Sequence, residues 1–199
     1  MQSKFPGITG VILAGGQARR MGGEDKGLIP VAGRPMIAHV IDALRGQLDR
    51  IIINANRNLD MYRSYALPVI ADQSTDFNGP LAGMATCMKA AETEYIITVP
   101  CDSPLLPADY VQRMFDTLNE ARAEICVAEN EGRLQPVFAL LRCTLLDSLT
   151  AYLADGGRKI DRWFEMHAMV CADFSDRAEM FINVNTPADI STVEAAQFR

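Results

Sequence analysis

Seven short runs rich in valine and isoleucine recur along the chain: "ITGVILA" (8–14), "RIIINAN" (50–56), "PVIAD" (68–72), "EYIITVPCD" (94–102), "EICVAEN" (124–130), "QPVFALL" (135–141) and "MVCADF" (169–174). Several show no polar–apolar alternation, the pattern of strands covered on both faces. Helical spacing fills the gaps between them. "RPMIAHVIDALRGQL" sets Pro35 early and keeps apolar residues at 36, 37, 40, 41 and 44, as a buried helix face requires. Further helices are predicted over 79–91, 107–121, 144–157, 159–167 and 187–198. Alternation of this kind specifies an α/β fold, a mostly parallel sheet flanked by helices and joined by right-handed crossovers. The 199 residues suffice for one sizeable core, and no linker, repeat or low-complexity run divides them. In an open α/β sheet the ligand lies past the carboxyl ends of the strands. Residues 13–27, 54–57, 72–79, 102–104 and 183–187 follow such ends.

The first of these segments is unusual. "LAGGQARRMGGEDKG", Leu13 to Gly27, holds five glycines, two arginines and a lysine in fifteen residues. It does not have the GxxxxGK[ST] pattern of a Walker A loop, because Asp25 precedes Lys26 and Gly27 follows it. Nor do Gly15-Gly16 and Gly22-Gly23 have the GxGxxG spacing of a dinucleotide-binding turn. What remains is a longer phosphate loop. Glycines let backbone N–H groups approach phosphate oxygens closely, while Arg19, Arg20 and Lys26 add charge at the same place. A plain surface loop would explain unpaired glycines better than these pairs.

The acids complement the cations. Asp72 and Asp102 each end a predicted strand on the ligand side. Either could cap a following helix; a carboxylate at Asp102, in "VPCDSPLLP", could also hold a magnesium ion that bridges triphosphate oxygens. The rest of the composition excludes other chemistries. The net charge of −6 argues against nucleic-acid and membrane-surface partners. Five cysteines, none in a CxxC, indicate no disulfide framework or zinc ribbon and a reducing compartment. The two histidines, His39 and His167, give little material for a zinc site or a Ser-His-Asp triad. No apolar run approaches a membrane span and "MQSKFPG" lacks a signal core, so a cytoplasmic location is expected.

Taken together, these motifs resemble the molybdenum cofactor guanylyltransferases, the bacterial MobA family. The loop 13–27 carries the likeness first; "INANR" (53–57), "GPLAG" (79–83), "PCDSP" (100–104) and "NVNTPAD" (183–189) continue it in the family's order. The resemblance implies a Rossmann-like nucleotidyltransferase fold, one domain over 1–199, with GTP in the N-terminal half and molybdopterin in the C-terminal half. It implies transfer of GMP from GTP to molybdenum-bound molybdopterin, with Mg2+ as cofactor. It also implies partners among other molybdenum cofactor biosynthesis proteins and molybdoenzyme chaperones. Residue by residue, it assigns Leu13, Ala14, Gly15 and Lys26 to the nucleotide, Asn54 to the guanine side, Asp72 to the nucleotide site and Asp102 to magnesium. Gly16, Arg20, Gly23, Gly79 and Gly83 fall on motif positions, and Asn183 and Asn185 are expected nearer the molybdopterin. Ala188 replaces a more usual acidic residue at the start of the last helix. Related cytidylyl enzymes resemble "LAAG" where this chain reads "LAGG"; Gly15 removes a methyl group where a purine needs room.

The nucleophile of such a reaction is a phosphate oxygen, ionised near neutral pH, so no strong base is needed. Catalysis is then positioning and charge stabilisation by Lys26, Arg20 and Asp102. Arg158, Lys159 and Trp163 are weaker candidates for the second substrate, the indole as a flat surface for a pterin. A solvated basic turn explains the two cations equally well. The cysteines read as small buried hydrophobes, and "GPLAG" reads equally as a helix start with Pro80 at its first position and Gly83 for close packing.

Overall fold

The computed structural model describes residues 5–14, 25–72, 79–184 and 187–197. Gly15, Gly16, Arg19, Arg20, Gly23 and Asn185 lie outside the described residues. The first half of the chain runs β1 (Ile8–Leu13), β2 (Pro30–Val31), β3 (Arg34–Pro35), α1 (Met36–Arg45), β4 (Ile51–Asn54), α2 (Leu59–Arg63), β5 (Val69–Ile70) and α3 (Pro80–Ala90). The second half runs β6 (Tyr95–Pro100), α4 (Tyr110–Ala121), β7 (Ile125–Asn130), β8 (Arg133–Arg142), α5 (Leu146–Ala154), α6 (Ile160–Phe164), β9 (Met169–Asp173) and α7 (Pro187–Gln197). Seven strands form one sheet in the order β5-β4-β1-β6-β8-β7-β9. The pairs β1–β4, β1–β6, β4–β5 and β7–β9 are parallel.

The exception is β8, antiparallel to both of its neighbours. The sequence places no helix between the runs at 124–130 and 135–141, and the structure joins them directly. Only Glu131 and Gly132 separate β7 from β8, with φ of 50° and 75°. Two successive positive φ values are those of a type I′ hairpin turn, which can only return the chain antiparallel. A second tight turn, at Ala32 and Gly33 (φ 49° and 76°), makes the small β2–β3 ribbon, which the sequence reading did not separate from the helix that follows.

Helices cover both faces of the sheet. On one face α1 and α4 pack Val40, Ile41, Leu44, Met114 and Leu118 against Ile8, Ile12, Ile53 and Ile97. On the other, α3, α5 and α6 pack Leu81, Met84, Leu149 and Trp163 against Val11, Ile52, Ile96 and Val127. Alternate residues of β1 therefore serve opposite cores, which is why its sequence is apolar without alternation. A third cluster docks the C-terminal helix on the ribbon through Val31, Met36, Val184 and Val193, and Glu194 accepts the Ala32 N–H at 2.8 Å. No helix among the described residues is long and apolar enough to cross a membrane.

One expectation fails here. Trp163 is fully buried, its ring 5.7 Å from that of Phe164 and its indole N–H donated to Ser148 Oγ at 3.3 Å. An amphipathic five-residue helix carrying "IDRWF" must turn its largest apolar ring to the core, so the indole offers no surface to a pterin. Arg158 donates to the carbonyls of Leu153 and Gly157, at 2.9 and 2.6 Å, and closes the end of α5. Trp163→Ala is expected to destabilise the protein by about 3–5 kcal/mol. Far-UV circular dichroism should follow the unfolding, because the chain has a single tryptophan. An unchanged denaturation midpoint would show that the ring is not part of the core.

Candidate active site

The strand ends meet in register. Leu13 of β1 stands opposite Asn54 of β4 on one edge and Pro100 of β6 on the other. Beyond them the Ala14 N–H bonds the Asn54 carbonyl at 2.8 Å, and the Cys101 N–H bonds the Leu13 carbonyl at 3.1 Å. The polar residues that follow each strand are thereby delivered to one level. Together with the start of α3 and part of β8 they enclose a cleft of about 410 Å³, within the ordinary range for a small-molecule site.

One side of this cleft is built around Asp72. Its Oδ1 accepts from Asn54 Nδ2 and its Oδ2 from Asn56 Nδ2, each at 2.8 Å. Asn56 Oδ1 in turn accepts the Asp72 N–H at 2.8 Å. Asn54 Nδ2 also reaches the Ile70 carbonyl at 3.2 Å, so its amide is held in one orientation. Among the described residues, the hydrogen bonds that fix this carboxylate come from neutral amides. Behind Asn54 lies Gly83, on α3. A Cβ at that position would stand 2.3 Å from Asn54 Oδ1 and 2.9 Å from Leu13 Cδ2. Gly83 therefore does not line the cleft; it lets α3 approach the sheet closely enough for Asn54 to sit there. Gly79 does line it, at φ 72° and ψ −165°, a backbone region that essentially only glycine occupies.

The centre of the cleft holds Lys26 and Asp102. The ammonium stands 3.3 Å from Asp102 Oδ2, with side-chain exposures of 28% and 14%. Lys26 opens a short 3₁₀ turn, Lys26–Leu28, and the residue before it is the anchor. Asp25 is buried, and its carboxylate accepts from the Tyr62 hydroxyl at 2.6 Å and from Asn58 Nδ2 at 3.1 Å. Arg57 Nε lies 3.6 Å away. A charge this buried is costly unless paired and bonded, and here both conditions are met. Burial, then the nearby Cys101 and Asp25, push the Tyr62 phenol up, so it remains a donor. Burial also pushes the Cys101 thiol well up, with Asp102 and Asp25 adding to it. That thiol remains protonated and supplies no nucleophile.

The far side is formed by Gln135, Pro136, Val137 and Phe138 of β8 with Asn183. Ser103 Oγ donates to Asn183 Oδ1 at 2.8 Å. Of the residues singled out from sequence, the cleft brings together Leu13, Ala14, Lys26, Asn54, Asp72, Gly79, Asp102 and Asn183. Gly83 supports it from behind. Arg158, Lys159 and Trp163 are not among its lining residues. Sequence reasoning missed Asn56, the anchoring role of Asp25, and the β8 wall. Asn56 and Asp25 lay inside quoted motifs, so position alone could have flagged them; nothing in "LQPVF" marks a ligand surface.

Comparison with known proteins gives a consistent result. Residues 10–170 match the family model described as "MobA-like NTP transferase domain". The chain is 50% identical over 180 residues to a protein of Shewanella sediminis named molybdenum cofactor guanylyltransferase, covering 90% of this chain and 92% of that one. It is 51% identical over 180 residues to a protein of the same name from Shewanella piezotolerans, covering 90% and 88%. In fold it is similar to molybdopterin-guanine dinucleotide biosynthesis protein A of Archaeoglobus fulgidus, with a TM-score of 0.79 at 18% identity over 96% of this chain and 98% of that one.

The close approach behind Asn54 has a measurable consequence. Gly83→Ala would raise helix propensity, yet overpacking is expected to cost about 1–3 kcal/mol and to turn the Asn54 amide away from Asp72. Nucleotide affinity, by equilibrium binding, should fall with it. A Gly83→Ala protein as stable as wild type and equal in nucleotide affinity would refute this packing role.

Proposed function

The chain belongs to the MobA-like NTP transferase family, and from that membership we propose that it transfers GMP from GTP to molybdenum-bound molybdopterin, giving the guanine dinucleotide form of the cofactor and pyrophosphate. The observation that carries this reading is the central Lys26–Asp102 pair with differently furnished walls on its two sides. A transfer between two substrates needs its charge-handling groups between them, with the nucleoside to one side and the acceptor to the other.

The nucleoside belongs on the Asn54–Asp72 side. A guanine edge offers two adjacent N–H donors, which an oriented carboxylate can accept together; cytosine presents no such pair. The N-terminus of α3 adjoins this side, with Gly79 and Pro80 on the cleft; Gly79 has a backbone N–H to offer and Pro80 none. Lys26 holds the phosphates, and its partner Asp102 keeps the ammonium turned into the cleft until they arrive. A phosphate oxygen of the acceptor forms the new bond to the α-phosphorus while the bond to the bridging oxygen breaks. The electron pair leaves with pyrophosphate. No proton has to be removed from an ionised phosphate, in keeping with a cleft whose thiol stays protonated. Catalysis then rests on alignment and charge stabilisation.

Magnesium is the metal this reading calls for, and the donor set suits it. Magnesium typically binds one or two carboxylates plus substrate phosphates and water rather than an all-protein cage. Among the described residues no group of three or more His, Cys, Asp or Glu side chains could hold a metal by itself. Asp25 is enclosed by Tyr62, Asn58 and Arg57 and Asp72 is assigned to the nucleoside, whereas Asp102 stands beside Lys26 at the centre of the cleft, where the phosphates would lie. Asp102 is the protein ligand in this reading, as the family resemblance implies. When bound, the ion would neutralise charge on the α-phosphate and the departing pyrophosphate.

Pyrophosphate release with each of the four nucleoside triphosphates, with and without molybdenum-bound molybdopterin, tests the proposal. GTP should be strongly preferred and release should need the acceptor; equal or faster turnover with CTP would overturn the guanine assignment. Lys26→Ala should slow transfer by roughly 10²–10³-fold while shifting stability by less than about 1 kcal/mol, the usual worth of an accessible ion pair. Asp102→Asn should lose most of the magnesium-dependent rate. Unchanged single-turnover rates in both variants would remove the pair from the mechanism.

A further inference from the structure

The wall formed by β8 is a break in the sheet, and one buried hydroxyl holds it open. Pairing between β7 and β8 passes from Val127↔Ala139 directly to Ala128↔Gln135. Pro136, Val137 and Phe138 therefore have no partners on β7. Pairing with β6 also stops, at Thr98↔Ala139, although β6 itself continues to Pro100. The two strands part at the level where the cleft begins, and the three extra residues line it. Bulges of this kind bend a strand and re-aim its side chains, and they concentrate beside active sites.

The backbone groups released by such a break must be satisfied elsewhere. Pro136 has no N–H to satisfy. Thr98 Oγ1 donates to the Val137 carbonyl at 2.6 Å and accepts the Ala139 N–H at 3.3 Å. Thr98 is fully buried, and the Tyr110 hydroxyl donates to its carbonyl at 2.9 Å. Phe138 turns into the core against Tyr110 and Phe181, with ring centroids at 6.2 and 5.2 Å. That leaves Pro136 and Val137 on the cleft as an apolar surface, with the amides of Gln135 and Asn183 also lining it.

We propose that this bulge is the wall on which the flat, hydrogen-bonding ring system of the acceptor, a reduced pterin, lies, and that Thr98 is its positioning residue. The inference rests on the proposed function, because it takes the opposite side of the cleft for the nucleoside. Thr98 touches neither substrate; without its hydroxyl the Val137 carbonyl and Ala139 N–H lose their partner, and the bulge has no reason to keep its shape.

The test separates the two substrates. With the wild-type protein, Thr98→Val and Thr98→Ser, transfer kinetics should be measured against GTP and against molybdenum-bound molybdopterin. Thr98→Val should raise the acceptor KM about tenfold or more while the GTP KM and directly measured GTP affinity stay within about twofold. Thr98→Ser keeps the hydroxyl and should restore the acceptor KM. Equal rises for both substrates, no rise, or failure of Thr98→Ser to rescue would overturn the proposal. If Thr98→Val does not fold, Gln135→Ala takes its place: a raised acceptor KM alone supports the wall, and an unchanged one overturns it. Free tetrahydropterin, titrated into GTP-loaded protein by saturation-transfer NMR, gives a readout independent of turnover. Contact in wild type that is lost in Thr98→Val supports the wall even if wild type fails to modify molybdopterin, a result that would overturn the proposed function instead. No contact in wild type overturns the wall.

Discussion

Strand β1 is hydrogen-bonded along both edges in a single register, and the cleft depends on it. Parallel pairing on both sides sets Leu13 level with Asn54 and with Pro100. A slip of one residue would send the Asn54 side chain to the opposite face of the sheet and dissolve its bond to Asp72. Register is specified by burial on both faces, which is why these strands are rich in Val and Ile. Against that background the buried polar residues stand out: Thr9, Asp25, Asn54, Thr98 and Ser103. Each is hydrogen-bonded to another part of the chain. All but Thr9 lie on the cleft or hold something that does. The core is interrupted where the site needs a fixed side chain.

The three carboxylates that line the cleft among the described residues are handled differently. Asp25 is enclosed by a phenol, an amide and a guanidinium, so its charge is used internally to fix the start of the Lys26 turn. Among the described residues, Asp72 is oriented by the neutral amides of Asn54 and Asn56. Asp102 faces Lys26 across 3.3 Å, with partial access to solvent. The chain as a whole carries a net charge of −6, so the anionic substrates proposed for this cleft would be held by local arrangement rather than by the overall field.

Much of this was legible in the sequence for a physical reason. Strands buried on both faces read as short runs rich in β-branched residues, and the rule placing ligands past their carboxyl ends converts strand positions into site positions. Asp72, Asp102 and the loop that carries Lys26 were found that way, Asn54 was named by the family resemblance, and the four line one cleft. What could not be read was the partner in a close approach, or backbone irregularity. Close packing at Gly83 was one of its two readings, but not that Asn54 Oδ1 is the atom a Cβ would meet, at 2.3 Å. Trp163 beside two cations suggested an exposed ring, and a short helix with one apolar side buried it instead. The α2 turn, with Asn58 entering it at φ 50°, had no apolar periodicity to announce it, yet it supplies both Asn58 and Tyr62 to Asp25.

The β7–β8 hairpin is the most consequential of these unread features. Had the chain crossed over after β7 as it does elsewhere, the strand beside β6 would have ended at the cleft and handed over to a loop. The two-residue turn at Glu131 and Gly132 reverses the direction, so β8 begins at the cleft and runs away from it. Its first residues are therefore strand residues tied to β7 through Arg133, Leu134 and Gln135, and only the three that follow depart from the ladder. A wall built on a strand is held more firmly than one built on a loop. Phosphoryl transfer between two large substrates gains most from alignment. On the side proposed for the nucleoside, alignment would come from side chains bonded to one another at parallel strand ends. On the other side it comes from a reversal of the chain and one threonine hydroxyl.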